Sequence, residues 1–164
     1  MTVNNAEAGP KRPRLLIIGV GNEFRHDDMI GLIIVRSLAQ QAPDFVDIRE
    51  SSGEGASLIN DWGGYNKVII IDALQSGAAP GRIIRIDAGA DKLTAAPVFH
   101  SSHALGVAEA VEMARAVGKL PEKIIIYGIE GRNFSAGEGT TPEVESAVPE
   151  IIELILNEAA DLII

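Results

Sequence analysis

The sequence predicts a three-layer α/β/α sandwich around a mixed five-stranded sheet, in the order 2-1-3-5-4 with strand 4 antiparallel. Three observations carry this expectation. Three segments are apolar on consecutive residues, as strands buried on both faces are. Two others alternate apolar with polar residues, which suits edge strands with a more exposed face. And only about nine residues, ALQSGAAPG, join the third strand to the fourth, fewer than the dozen or more a parallel crossover needs.

The elements follow in chain order. Residues 1–13, MTVNNAEAGPKRP, are polar, include Glu7 and lack an apolar core, so they read as a disordered tail and not as a secretory signal. Residues 14–164 then form a single domain. The first strand is RLLIIGVG (14–21). A helix over 28–41 carries Ile30, Ile33, Ile34 and Leu38 at helical spacing and stops before Pro43. The alternating FVDIRE (45–50) is the second strand, and 54–62 can form a short helix. KVIIIDA (67–73) is the third strand and the alternating RIIRID (82–87) the fourth. A helix over 102–117 carries Leu105, Ala108, Val111 and Met113 and stops at Gly118. KIIIYGI (123–129) is the fifth strand. The last helix opens at TTPEVE, with Thr141 as N-cap, Pro142 in the first helical position and acids in the first turn; Pro149 should kink or divide it.

Strands 1, 3 and 5 are central in this scheme. The strand order then reverses between strands 1 and 3, where a crevice opens at the carboxyl ends.

Composition removes several functions. The net charge of −9 argues against binding a phosphate backbone. The chain has no cysteine, which excludes disulfides, thiolate zinc sites and a cysteine nucleophile. No apolar stretch reaches the roughly 18 residues of a membrane helix. The cytoplasm is the expected location and a monomer the expected state.

The chemistry collects in GVGNEFRHDDMIG (19–31). Its two glycines follow a strand as in a dinucleotide-binding turn, but Phe24 stands at the last glycine position of that fingerprint. Asp27 and Asp28 lie where a pyrophosphate would have to sit. Asp72, at the end of the third strand, reaches the same crevice, and so does His103 at the start of the third long helix. Two carboxylates and an imidazole suit a divalent metal. Each also has a plainer role. Asp27 reads as the N-cap of the first helix, Asp72 could satisfy loop amides, and a histidine at a helix start is commonly a cap. Of the two imidazoles in HSSH (His100 and His103) only one need lie in the site, and His26 is expected to be exposed. The loop SSGEGAS (51–57) is rich in amides and could hold a peptide main chain. No Walker lysine, G-x-S-x-G elbow or H-E-x-x-H pair is present.

GVGNEFRHDDMIG, IIIDALQSGAAPG, HSSHALG and TTPEVESAVP, in this order, resemble the nickel–iron hydrogenase maturation endopeptidases over about Arg14 to Leu156. The resemblance implies the three-layer fold and a cytoplasmic protease. It would remove the C-terminal extension of a hydrogenase large-subunit precursor after nickel insertion. It places the family's catalytic and metal-contacting residues on Asp28, Asp72 and His103. The nickel is carried by the precursor, whose thiolates complete the coordination, and other divalent ions can occupy the site in vitro. Asp27 and His26 are candidates for general base, and the three ligands are expected to be exposed. The family often has a G-T-x-G-like loop after strand 2, where this chain has Ser52-Gly53-Glu54-Gly55, so Glu54 adds a charge there. Two other readings stand beside this one: a nucleotide-binding α/β enzyme, and a non-catalytic nickel or precursor chaperone.

Overall fold

The computed structural model describes residues 14–91, 93 and 106–162, so the expected tail over 1–13 and both His100 and His103 lie outside the described residues. Five strands run β1 (Leu15–Val20), β2 (Val46–Ser51), β3 (Lys67–Leu74), β4 (Ile83–Asp87) and β5 (Lys123–Glu130). Helices α1 (Ile30–Leu38), α2 (Gly55–Trp62), α3 (Val107–Ala116) and α4 (Pro142–Asp161) alternate with them, and a 3-10 turn at His26–Met29 leads into α1.

The sheet order is β2-β1-β3-β5-β4, parallel throughout except between β4 and β5. The expected topology and the antiparallel edge both hold. Continuous apolar strands bury both faces because alternate residues feed two cores. Leu15, Ile17, Ile69, Ile71, Ile125 and Ile129 pack beneath α1 and α4. Leu16, Ile18, Val68, Ile70, Ile124 and Ile126 pack beneath α2 and α3. No helix of the described residues is long and apolar enough to cross a membrane.

Four local expectations change. The segment 28–41 does not start as an α-helix: the 3-10 turn takes its first residues, and Met29, without a side-chain cap, precedes α1. Met113 was expected on the buried face of α3 but is an exposed residue. The buried stripe is Val107, Ala110, Val111 and Ala114, at spacings of three and four, and Met113 falls off it. Of the two outcomes expected at Pro149, a kink or a division, the second does not occur: α4 runs unbroken from Pro142 to Asp161. Ala147, Ile151, Ile155 and Ala159 are buried on either side of the proline, and that packing offsets the one lost backbone hydrogen bond. Glu54 is not a charge presented to the crevice. It is the N-cap of α2 and accepts hydrogen bonds from the Ala56 and Ser57 amides.

Helix α1 lies unusually close to the sheet. A Cβ on Gly31 would come within 2.2 Å of the Val20 carbonyl oxygen and 2.6 Å of that of Ile71. A Cβ on Gly19 would come within 2.2 Å of the Gly31 carbonyl oxygen. The two glycines thus let helix backbone rest on strand backbone, and the turn before α1 is carried to the carboxyl ends of β1 and β3. Gly31→Ala should force the helix away and lower stability by about 2–3 kcal/mol, the usual scale of overpacking. Urea denaturation checks this; an unchanged midpoint would mean the contact does not hold the helix in place.

Candidate active site at the carboxyl edge of the sheet

The 3-10 turn packs against β3, so the turn and the strand present their carboxylates to one another. Asp72 is the sixth residue of β3, two short of its end, and sits opposite Gly128 in the register with β5. It shares alternation with Val68, Ile70 and Leu74 and so faces the α2–α3 side of the sheet. Only 1% of Asp72 and 5% of Asp28 is exposed. Two of the three ligands expected to be exposed, Asp28 and Asp72, are therefore buried, because close packing of α1 draws the turn down onto the strand ends.

Burial pushes the Asp72 carboxyl well above its ordinary value, and the charge of Asp28 pushes it further; the Ala73 amide, donating at 2.8 Å, opposes both. Two buried carboxylates whose charges repel are a poor arrangement in isolation and a good one around a cation, which replaces repulsion by coordination. That donor chemistry fits a divalent ion. Asp28 and Asp72 could supply two hard oxygen donors, and among the described residues no third His, Cys, Asp or Glu joins them.

Asp27 has a different task. It is wholly buried and accepts hydrogen bonds from the backbone amides of Arg132, Asn133 and Thr141 at 2.7–2.9 Å, and from the Thr141 hydroxyl. Burial alone would raise its pKa, but the bonds from Thr141, Asn133 and Arg132 outweigh it and hold the carboxylate below its ordinary range. An acid so held is a weak proton acceptor, which removes Asp27 as general base. It is not an N-cap of α1 either; it ties the turn to the segment 131–141. Thr141 does occupy the N-cap position of α4, yet its hydroxyl serves Asp27 and not its own helix.

His26 joins the same clamp. Its backbone adopts φ 41°, a conformation uncommon outside glycine, its amide donates to the Gly137 carbonyl, and its Nδ1 lies 3.0 Å from the Gly139 carbonyl. It is half-buried against the loop, not the exposed residue expected.

Glu130, which sequence reasoning passed over, is also buried. It accepts from the Ser76 and Gly77 amides and the Ser76 hydroxyl, fixing the loop after β3. Its position directly after the buried run Ile124–Ile129 was the available signal.

The two aspartates should respond to pH in opposite senses. Asp72 binds its proton more tightly folded than unfolded, so its charge costs stability at neutral pH and costs nothing once both states are protonated. Asp72→Asn should therefore raise the melting temperature of the metal-free protein at pH 7, the gain fading as pH falls towards about 4. Thermal melts across pH check this, and a loss of stability at pH 7 would contradict it. Asp27 contributes stability above its unfolded value near about 3.9 and loses it as pH falls through its lower folded value. Asp27→Ala leaves several buried donors unpaired and should cost about 3 kcal/mol or more at neutral pH. Denaturant titration reads this directly, and a cost below about 1 kcal/mol would contradict the clamp.

Comparison with known proteins places these features among relatives. The family model described as hydrogenase maturation protease matches residues 33–158, a span that contains Asp72 and begins after Asp28. The chain is 32% identical over 147 residues to the Hydrogenase 2 maturation protease of Escherichia coli (strain K12), covering 87% of this chain and 88% of that protein. It is 27% identical over 157 residues to the hydrogenase expression/formation protein HupD of Rhizobium leguminosarum bv. viciae, covering 93% and 77%. Among solved structures, the hydrogenase maturating endopeptidase HybD from E. coli superposes with a TM-score of 0.75 at 29% identity, over 90% of this chain and 93% of that one. The [NiFe] hydrogenase maturation protease HybD from Thermococcus kodakarensis gives 0.71 at 27% identity, over 92% and 99%.

Proposed function

This chain belongs to the hydrogenase maturation protease family, and from that premise we propose that it is the endopeptidase that removes the C-terminal extension of a nickel–iron hydrogenase large-subunit precursor. The observation that supports this reading is the buried Asp28–Asp72 pair, whose mutual repulsion calls for a cation. In this reading the cation is nickel, and it arrives with the substrate. Asp28 and Asp72 meet it as hard ligands, His103 is the third, and thiolates of the precursor supply the soft ones. Nickel so held can act as a Lewis acid on the neighbouring scissile carbonyl.

The chain's own residues supply position and environment. The turn at His26–Met29 presents Asp28 from above the strand ends, and β3 presents Asp72 from within the sheet. Asp27 keeps its neighbour in register by fastening the turn to residues 131–141. Residues 52–54 lead from β2 into the capped start of α2, and this segment is placed to accompany an extended substrate main chain. The site works in the cytoplasm, where the precursor is made.

The rival readings have less support. A nucleotide enzyme needs open space for phosphate after β1, and here the Asp28 carbonyl closes over Gly21, where an added Cβ would lie 2.0 Å from it. A chaperone that holds the precursor without cutting it differs only in outcome, so cleavage itself decides.

Selectivity for nickel comes from a partner that presents the ion, since affinity alone orders divalent metals poorly. Nickel-loaded precursor should therefore be cut, and metal-free or zinc-loaded precursor should stay intact at equal enzyme. Asp28→Ala, Asp72→Ala and His103→Ala should each reduce processing by at least about a hundredfold while the fold persists. Mass spectrometry of the released peptide, beside circular dichroism of each variant, reads both. Full activity in Asp72→Ala would remove the site, and equal cleavage of metal-free precursor would remove the nickel gate.

A further inference from the structure

Phe24 is 61% exposed, the most exposed of the large apolar side chains among the described residues. It stands in the loop 21–29 that also carries Asp28, and it is the shared wall of two cavities. One, of about 350 Å³, opens at the carboxyl ends of β1 and β2 and is lined by Gly21, Arg36 and Ser51 among others. The other, of about 530 Å³, has an apolar floor of Met29 and Ile33 and a rim of Glu23, Glu138 and Glu145.

Among the described residues, no Lys or Arg lines the larger cavity. Arg25 follows Phe24 and donates from its guanidinium to the Phe134 carbonyl at 3.4 Å, Arg36 pairs with Glu23 and Glu50 on the far side of Phe24, and Arg132 pairs with Glu143. Glu138 and Glu145 lie outside those pairs, are exposed, and add to a molecule of net charge −9. The frame around the cavity is nevertheless rigid. His26 and Asp27 fasten the loop holding Phe24 to the segment holding Glu138, and an isolated bridge joins Arg25 to Gly137. An aromatic ring held in water on such a frame is the kind of anchor that buries on association.

We propose that Phe24 and the acidic cavity beside it form the docking surface for the precursor, and that they accept a segment in which Lys or Arg side chains adjoin an apolar one. The proposal rests on the protease reading above and adds the chemistry of the partner's contact. The apolar side chain packs on Phe24, Met29 and Ile33, while the cation meets Glu138 and Glu145 at the rim. A rim charge governs encounter and its salt dependence more than the strength of the final complex. Because the same loop bears Asp28, a precursor seated on Phe24 is held against the catalytic edge of the sheet.

The test is steady-state processing of nickel-loaded precursor by the wild-type protein, by Phe24→Ala and by the double variant Glu138→Lys/Glu145→Lys, from low to moderate salt. All three substituted side chains are exposed, and melting curves establish that each variant folds. The expected result is a KM raised about tenfold in either variant with kcat within about twofold, the signature of lost binding and not of lost chemistry. The wild-type KM should rise with salt, and that dependence should flatten or reverse in the charge-reversed variant. A KM unchanged in both variants overturns the docking surface. A normal Phe24→Ala overturns the aromatic anchor, and a salt dependence equal in wild type and double variant overturns the basic partner. If the wild-type protein does not cut the precursor at all, the protease reading fails instead, and anisotropy of labelled precursor against the three proteins still reads whether the surface binds it.

Discussion

Everything at the carboxyl edge of the sheet depends on backbone touching backbone between Gly31 of α1 and the ends of β1 and β3. Side chains normally hold a helix some 10 Å from a sheet, by the spacing that packed layers adopt. Without them at this point the turn before α1 descends onto the strand ends, and Asp28 comes within electrostatic reach of Asp72. The glycines that look like a phosphate-binding turn therefore work by removing space. What they bring close is charge of the chain's own, not charge from a ligand.

The adjacent aspartates show how environment assigns roles to identical side chains. Asp27 is surrounded by donors, stays ionised and acts as a knot between the turn and residues 131–141. Asp28 lies within electrostatic reach of another carboxylate, a repulsion that a cation would relieve. The knot uses stability to hold the repulsive pair in place, an exchange commonly found where local strain or repulsion is functional. His26 belongs to the same arrangement, since its uncommon backbone angle is kept by bonds to Gly137 and Gly139. A site built this way is rigid before its substrate arrives, and little ordering is then required on binding.

The acidity of the chain, read at first as a property of the whole, is also sorted by place. Glu54 and Glu109 satisfy amides at the starts of helices, and Glu130 and Asp87 satisfy loop amides. Glu158 is paired with Arg85 and Tyr127, which holds it below its ordinary range. Those carboxylates are engaged within the chain. Glu138 and Glu145 beside Phe24 stay open to solvent, and that distinction was invisible in a count of charges.

The sequence by itself determined the layers, the strand order and the antiparallel edge, because each follows from local quantities. Continuous or alternating apolar runs report burial on two faces or one, and the nine-residue link between β3 and β4 is simply too short for a crossover. It also brought Asp28 and Asp72 to one crevice, since residues at the carboxyl ends of neighbouring central strands must meet. Tertiary structure alone decided that Asp27 would be tied up in hydrogen bonds, since the donors come from residues 132, 133 and 141, more than a hundred positions away. It alone decided that the pair would be buried, because burial depends on how near α1 lies to the sheet. The same holds for Thr141, whose place at a helix start is local but whose hydroxyl answers to a distant carboxylate. Periodicity records what a residue's neighbours in the chain require, and hydrogen-bond partners across the fold leave no period to read.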